Sequence, residues 1–362
     1  MKTVETIEVN FGDIMKNYVI DIGENIQHRL ITFISENCKS QRVLIISDER
    51  VASYYLEDLQ NALDKISLET FSYIIKPGET SKSLEVASNI YSVLAMHAFS
   101  RSDLIIALGG GVVGDLAGYV AATFKRGLSF IQVPTTLLAQ VDSSVGGKVA
   151  INIAEGKNLV GAFYQPLYVL IDTSYLTTLQ KDQWQDGLGE IIKYAFIGSE
   201  ELYEILGNHT IESIKGEIND VIAECCRIKR DVVIKDEFDT GLRMTLNFGH
   251  TLGHAIEKYY GYGTYSHGQA VAMGMYLIMR QFESRELLNN EISVQIKKML
   301  KRYDLFKDEM VKTYPYYCKD ILNDKKVMSG KINIIIVDKV GDSRTYPLNL
   351  SQAEKLLSIT IG

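Results

Sequence analysis

The chain has 362 residues, 46% of them hydrophobic and 23% charged, enough for two domains with separate cores. A formal net charge of -7 argues against a nucleic-acid binder, although local basic pockets stay possible, and no apolar run approaches the roughly 20 residues that span a bilayer. The four cysteines (Cys38, Cys225, Cys226 and Cys318) lack CxxC spacing and two are adjacent, so free thiols in a reducing cytoplasm are expected.

The opening IEVNFGDIMKNYVIDIG carries no apolar signal core and is predicted to form a hairpin at a sheet edge. Arg42 to Asp48 reads as a buried strand ending on a carboxylate. A helix is expected over 79–97, after the Pro77-Gly78 turn. DLIIALGGG from 103 is a strand feeding glycines into a helix over 114–125, and LSFIQVP from 128 is another strand. Continuous apolar strands alternating with helices predict a parallel, doubly wound sheet, so residues 1–172 are read as a Rossmann-like α/β domain.

Long helical periods dominate 173–362, giving a mostly α-helical second domain. Within 213–233, Ile214, Ile218, Val221, Ile222, Cys225, Ile228 and Val232 share one stripe, and Lys229 falls inside it. A lysine there is either snorkelling or used on an anion. KINIIIV from 331 is a late strand, and the cleft between the domains is the expected site.

Three of the six histidines, His250, His254 and His267, fall in one short segment. His250, His254 and Glu257 lie on one face of a helical stretch, and His267 follows in a glycine-rich turn. Imidazole is the commonest protein ligand for divalent metals near neutral pH, so the group suggests a metal site. An HxxxH pair alone is equally read as two satisfied, half-buried histidines.

LGGGVVGDL (108–116) joins a strand to a helix, where glycines let backbone N–H groups and the helix N-terminus approach a pyrophosphate. Its spacing is GGGxxGD rather than GxGxxG. Asp48 suits a ribose hydroxyl and would favour NAD over NADP; a helix N-cap is its alternative role. Arg126, Lys148 and Lys157 lie among glycines beside Asp142, Asn158, Thr135 and Thr136. Lysines on such tight turns suit a phosphate or carboxylate, and their recurrence points to an anionic small molecule.

Together these motifs resemble the 3-dehydroquinate synthase family of the sugar-phosphate cyclases, over nearly the whole chain. The matching stretches are PGETSK (77–82), GGGVVGD (109–115), QVPTTLLAQVDSSVGGKVAIN (132–152), GKNLVGAFYQP (156–166), GEIIKY (189–194), LNFGHTLGHAIE (246–257), HG (267–268) and DKK (324–326). GGKVAIN is similar to the dehydroquinate branch, and cyclases that make amino-sugar or valiolone rings depart there.

The resemblance implies zinc or cobalt on Glu190, His250 and His267. It implies substrate and catalytic roles for Asp142, Lys148, Lys157, Asn158, Lys193, Lys229, Asp239, Arg243, Asn247 and His254, and for Lys325 or its neighbour Lys326. It implies NAD contacts from Asp48, Pro77, Gly78, Glu79, Thr80, Ser81 and Lys82, and from Gly111, Val112, Val113, Gly114 and Asp115. Further NAD contacts would come from Thr135, Thr136, Asp142, Lys148 and Lys157 and from the turn Tyr175, Leu176, Thr177 and Thr178. Lys148, Lys193 and Lys325 would hold a phosphate, Arg243 and Lys157 a carboxylate, and His254 would relay protons.

The implied reaction is a carbon–oxygen lyase step in a cytoplasmic homodimer. It turns 3-deoxy-D-arabino-heptulosonate 7-phosphate into 3-dehydroquinate and phosphate by transient oxidation, β-elimination, reduction, ring opening and aldol closure. Two positions depart from the family pattern. Asp239 stands where glutamate is usual, and Gly189 stands where alanine is common and is expected to loosen its helix by up to about 1 kcal/mol. A different sugar-phosphate cyclase and a metal-dependent polyol dehydrogenase are the competing readings.

Overall fold

The computed structural model describes residues 4–12, 17–261, 263–289, 291–314, 316 and 331–357, leaving out the side chain of Leu350. Lys325, Lys326 and Cys318 lie outside the described residues. The chain divides into two compact units, Met1–Leu179 and Gln180–Gly362. The first unit runs past Asp172 because that carboxylate ties down the next turn. It accepts from Ser174 N at its own end and from Asn25 N and Ile26 N, so the 3-10 turn Thr173–Thr178 stays with the sheet.

The first unit contains β1 (Glu5–Val9), β2 (Tyr18–Gly23), α1 (Gln27–Asn37), β3 (Arg42–Asp48), α2 (Glu49–Asp64), β4 (Glu69–Ile75), α3 (Leu84–Met96), β5 (Leu104–Gly109), α4 (Gly111–Thr123), β6 (Ser129–Pro134), β7 (Lys148–Ile153), β8 (Gly156–Phe163) and β9 (Tyr168–Asp172). Seven strands form one sheet in the order β1-β2-β9-β6-β5-β3-β4. All neighbours are parallel except β1 and β2, the expected edge hairpin.

The period-2 alternation of β3 explains the layers. Leu44 and Ile46 face one side, packing with Ile90 and Leu94 of α3 and Leu116 and Val120 of α4. Val43 and Ile45 face the other, packing with Leu30 and Ile34 of α1 and Leu59 and Leu63 of α2. Because both faces are covered, β5 is buried along its whole length.

Two local expectations change. The helix expected over 79–97 is a 3-10 turn, Glu79–Ser81, followed by α3, which starts at Ser83 because that hydroxyl accepts from Val86 N. The loops expected around Lys148 and Lys157 form an antiparallel hairpin, β7 with β8. Val149 and Ile151 alternate into the core against α4, and this apolar pair pins the hairpin.

The second unit contains α5 (Lys181–Gly198), α6 (Glu200–Asn208), α7 (Ile218–Lys235), α8 (His250–Tyr260), α9 (His267–Glu283), α10 (Ile292–Arg302), α11 (Asp308–Lys312), β10 (Lys331–Lys339), β11 (Asp342–Asn349) and α12 (Leu350–Leu357). The late strand is β10, and β11 pairs with it antiparallel, a partner its exposed polar alternation and Pro347 had hidden. α7 starts at Ile218 after a 3-10 turn, Ile214–Glu217, and buries Ile222, Cys225 and Lys229 on one face. Cys38, Cys225 and Cys226 are free thiols, and no helix among the described residues is long and apolar enough to cross a membrane.

Candidate metal centre and nucleotide loop

Three helices of the second unit bring Glu190, His250 and His267 together. Glycine makes their close approach possible. Gly249 has a φ of 81°, which starts α8 directly before His250, and a Cβ on Gly274 of α9 would overlap the Gly249 carbonyl. The rings of His250 and His267 therefore stand 5.2 Å apart, centroid to centroid. His267 is not in a loose turn as expected. It is the first residue of α9, behind a Ser266 N-cap whose capping box with Gln269 fixes the helix start.

α5 supplies the carboxylate. Asp186, one turn before Glu190, accepts from Gly268 N at 2.6 Å and so clamps the start of α9 onto α5. A Cβ on Gly189 would overlap the Gly268 carbonyl, and one on Gly268 would overlap that of Asp186. Gly189 is thus a point of helix contact, which corrects the expectation that it merely loosens α5. Gly268→Ala should push α9 off α5, cost about 1–3 kcal/mol of stability as overpacking does, and weaken metal binding. Thermal unfolding with and without metal checks this.

The local geometry is that of a ligand set. Glu190 is fully buried, and its Oε1 has no hydrogen-bond partner among the described residues. Nε2 of His250 and Nε2 of His267 each lie 3.6 Å from that oxygen. The other oxygen, Oε2, faces the ammonium of Lys193. Donor atoms of all three residues fall within 4.8 Å of one another. A buried carboxylate with one unpartnered oxygen and two converging imidazoles fits a divalent metal and leaves coordination positions for substrate oxygens.

Charge follows the same geometry. Burial, then the ammonium of Lys193 and the two neighbouring histidines, holds His250 well below the usual histidine range. Burial disfavours the charged form of His267, but its hydrogen bond to the Glu257 carboxylate and the field of Glu190 outweigh that and push it up to about 9.

Of the other expected residues in this unit, Lys193, Lys229 and Arg243 are buried, at 1%, 7% and 2% exposure. The inward lysine of α7 is therefore no snorkelling side chain. Arg243 donates from Nη1 to the Glu237 carbonyl at 2.6 Å. Its turn is held by Asp236, which accepts from Thr240 N, Gly241 N and Arg243 N, and these bonds hold the Asp236 carboxyl down at about 2. Asn247 and His254 are exposed. Asp239 sits at a φ of 60° in the same turn.

In the first unit, residues expected to contact a nucleotide end β3 (Asp48) or follow β4 (Pro77 to Lys82), β5 (Gly111 to Asp115), β6 (Thr135 and Thr136) and β9 (Tyr175 to Thr178). Asp48 caps α2, its Oδ1 accepting from Arg50 N and Val51 N, so the capping role is real. Lys82 is buried and binds Asp115 and Asn158. Glu79 accepts from Asn152 at 2.7 Å, and Ser81 donates to the Lys76 carbonyl, which orders the loop carrying Pro77, Gly78 and Thr80.

Val113 is buried in the core and Val112 packs against it. A Cβ on Gly114 would lie 2.7 Å from Oε1 of Gln132, a packing use of that glycine. Thr135 Oγ1 is buried with no hydrogen-bond partner among the described residues, and Thr136 follows it. Asp142 lies in a short π-helical turn. Lys148 and Lys157 are exposed on the hairpin. Tyr175 and Leu176 are buried, whereas Thr177 and Thr178 are exposed, Thr178 bonding Tyr55 at 2.7 Å.

Asp186 and Asp236 were missed by sequence reasoning. The signal for Asp186 was its position one helical turn before Glu190.

The chain thus pairs a doubly wound α/β unit with a mostly helical unit that carries a Glu-His-His cluster. Comparison with known proteins gives the family. Residues 72–186 match the family model of the 3-dehydroquinate synthase N-terminal part, and residues 187–327 match its C-terminal part. The 3-dehydroquinate synthase of Clostridium perfringens strain SM101 is 46% identical over 344 residues, covering 95% of this chain and 98% of that protein. The chain belongs to the 3-dehydroquinate synthase family.

Among solved structures, 2-deoxy-scyllo-inosose synthase complexed with carbaglucose-6-phosphate, NAD+ and Co2+ superposes with a TM-score of 0.85 at 24% identity, covering 98% of this chain and 99% of that one. An iron-containing alcohol dehydrogenase from Thermococcus thioreducens gives 0.65 at 15% identity, covering 93% and 96%. Both share the fold.

Proposed function

We propose that this chain is a carbon–oxygen lyase converting 3-deoxy-D-arabino-heptulosonate 7-phosphate into 3-dehydroquinate and inorganic phosphate. Membership of the family, with 46% identity across nearly the full chain, supports the substrate. The observation that carries the chemistry is the buried Glu190 oxygen, unpartnered among the described residues, beside two imidazole nitrogens. Glu190, His250 and His267 would hold Zn2+ or Co2+. When bound, the metal polarises a substrate hydroxyl, and NAD+ supplies a transient oxidation that is reversed before release.

The residues of the chain divide the remaining work. Lys148 and Lys193 suit the phosphate, and Arg243 and Lys157 the carboxylate, because each offers charge-assisted donors. Lys229, buried on α7, would hold an anionic or hydroxyl oxygen of the substrate. His254, exposed beside the cluster, suits proton relay. Asp239, Asn247 and Asn158 supply polar contacts, with Lys325 as a further cation. Holding one folded substrate conformer matters most for the aldol closure, where effective molarity can reach about 10^5 M or more. A homodimer in the cytoplasm completes the proposal. Incubation with the heptulosonate phosphate, NAD+ and Zn2+, followed by product identification, tests it; a product other than 3-dehydroquinate would reject it.

The lysines give a sharper test. Lys148→Ala and Lys229→Ala should each lower kcat/KM by more than about tenfold, and Lys229→Ala, at a residue not placed among the NAD contacts, should leave NAD+ affinity near that of the unaltered chain. Charge-assisted hydrogen bonds in a closed site are worth about 1.5–3 kcal/mol. Steady-state kinetics and NAD+ titration make the measurement, and unchanged turnover would return either lysine to a solvated or structural role.

A further inference from the structure

Both candidate histidine ligands are anchored at Nδ1, but by different groups. His250 Nδ1 lies 3.2 Å from the Phe248 carbonyl, which leaves Nε2 to face Glu190. His267 Nδ1 lies 3.3 Å from Oε2 of Glu257, and again Nε2 faces Glu190. Glu257 sits on α8, two turns after His250, with its side chain only 11% exposed. One helix therefore carries a candidate ligand and, on the same face, the carboxylate that grips the candidate ligand of another helix.

We propose that Glu257 is the positioning residue of the metal centre: it accepts the Nδ1–H of His267, fixes the tautomer that leaves the Nε2 lone pair free, and aims that nitrogen at the ion. The inference rests on the metal reading given above. Its physical basis is that a ring held at one nitrogen by a carboxylate keeps its orientation and becomes a more basic donor at the other. Outer partners of this kind change metal affinity by about 10–100-fold when removed. Glu257 also lies within reach of His254, and the three side chains could instead hold an ion of their own. A fixed Glu257–His267 hydrogen bond and a second ion at the same atoms exclude each other.

The test compares Glu257→Ala, Glu257→Gln and Glu257→Asp with the unaltered full chain. Co2+ and Zn2+ affinities are measured by competition with a chromophoric chelator at several pH values, together with the visible spectrum of the Co2+ form and the number of ions per chain. Expected are one ion per chain, a 10–100-fold weaker limiting affinity at high pH in Glu257→Ala with a shifted Co2+ spectrum, and a smaller loss in Glu257→Gln, which keeps an acceptor oxygen. Turnover should follow metal occupancy. Unchanged affinity and spectrum in a folded Glu257→Gln and Glu257→Ala would overturn the proposal, as would two ions per chain. Failure of the unaltered chain to bind metal would instead sink the underlying metal reading.

Discussion

His267→Ala is expected to lose bound metal and turnover together, with kcat/KM down by about 10^3-fold or more. Metal polarisation of a substrate oxygen is worth several kcal/mol, and each 1.36 kcal/mol is about tenfold in rate. The substitution removes one of three donors and leaves the fully buried Glu190 facing a gap. Exhaustive EDTA treatment of the unaltered chain should match that loss, and Zn2+ or Co2+ should reverse it there but not in the variant. His254→Ala is the contrast. His254 is not among the donors that converge with Glu190, so that variant should keep its metal and slow only in turnover. Metal analysis of both variants decides the matter; full occupancy in His267→Ala would remove that residue from the ligand set.

The same site gives a pH dependence with a definite sign. The metal-free His267 is pushed up to about 9, and only its deprotonated Nε2 can bind an ion. Below that pH the deprotonated fraction falls about tenfold per unit, so metal affinity should rise with pH and level off above about 9. Metal titrations across pH 6–10, a range of about four units around neutrality and above, would show the slope.

Much of this arrangement was legible in the sequence, for identifiable physical reasons. Strands buried on both faces must be continuously apolar, so β3, β5 and β6 stood out, and the glycines after β5 marked the turn into α4. Lys229 was placed inward by periodicity alone, because a charge inside an apolar stripe breaks the 3.6-residue pattern. Contacts between distant helices were not legible. Nothing in the local sequence says that Gly268 meets Asp186, or that Gly189 touches Gly268, since those pairs lie about eighty positions apart and meet only through packing. The β7–β8 hairpin was hidden for another reason. One of its strands is almost wholly exposed and carries two glycines along with Lys157 and Asn158, so it reads as a loop. Glu257 was visible on the histidine face, but its partner at Nδ1 of His267 depends on the tertiary fold.

Inorganic phosphate is expected to appear in many-fold excess over the NAD+ supplied, with no accumulation of absorbance at about 340 nm, the wavelength at which a released reduced nicotinamide would register. This separates the two chemistries that the fold can host, since the chain shares it with an iron-containing alcohol dehydrogenase at a TM-score of 0.65. A dehydrogenase needs a nucleotide loop and a metal, and it must release one reduced cofactor per turnover. It has no use for lysines placed to hold a phosphate. Here Lys193 and Lys229 are buried in the second unit, and Lys148 and Lys157 stand on the hairpin that packs on α4. The lysines proposed above to hold the substrate's phosphate and carboxylate would have no counterpart in a dehydrogenase reaction, even though Lys193 also faces Glu190. If the hydride returns within the same turnover, substoichiometric NAD+ sustains the reaction until the cofactor escapes. Phosphate release and absorbance, followed in one cuvette at about one NAD+ per ten chains, make the measurement. One reduced nicotinamide released per phosphate would reject the synthase chemistry and favour a dehydrogenase.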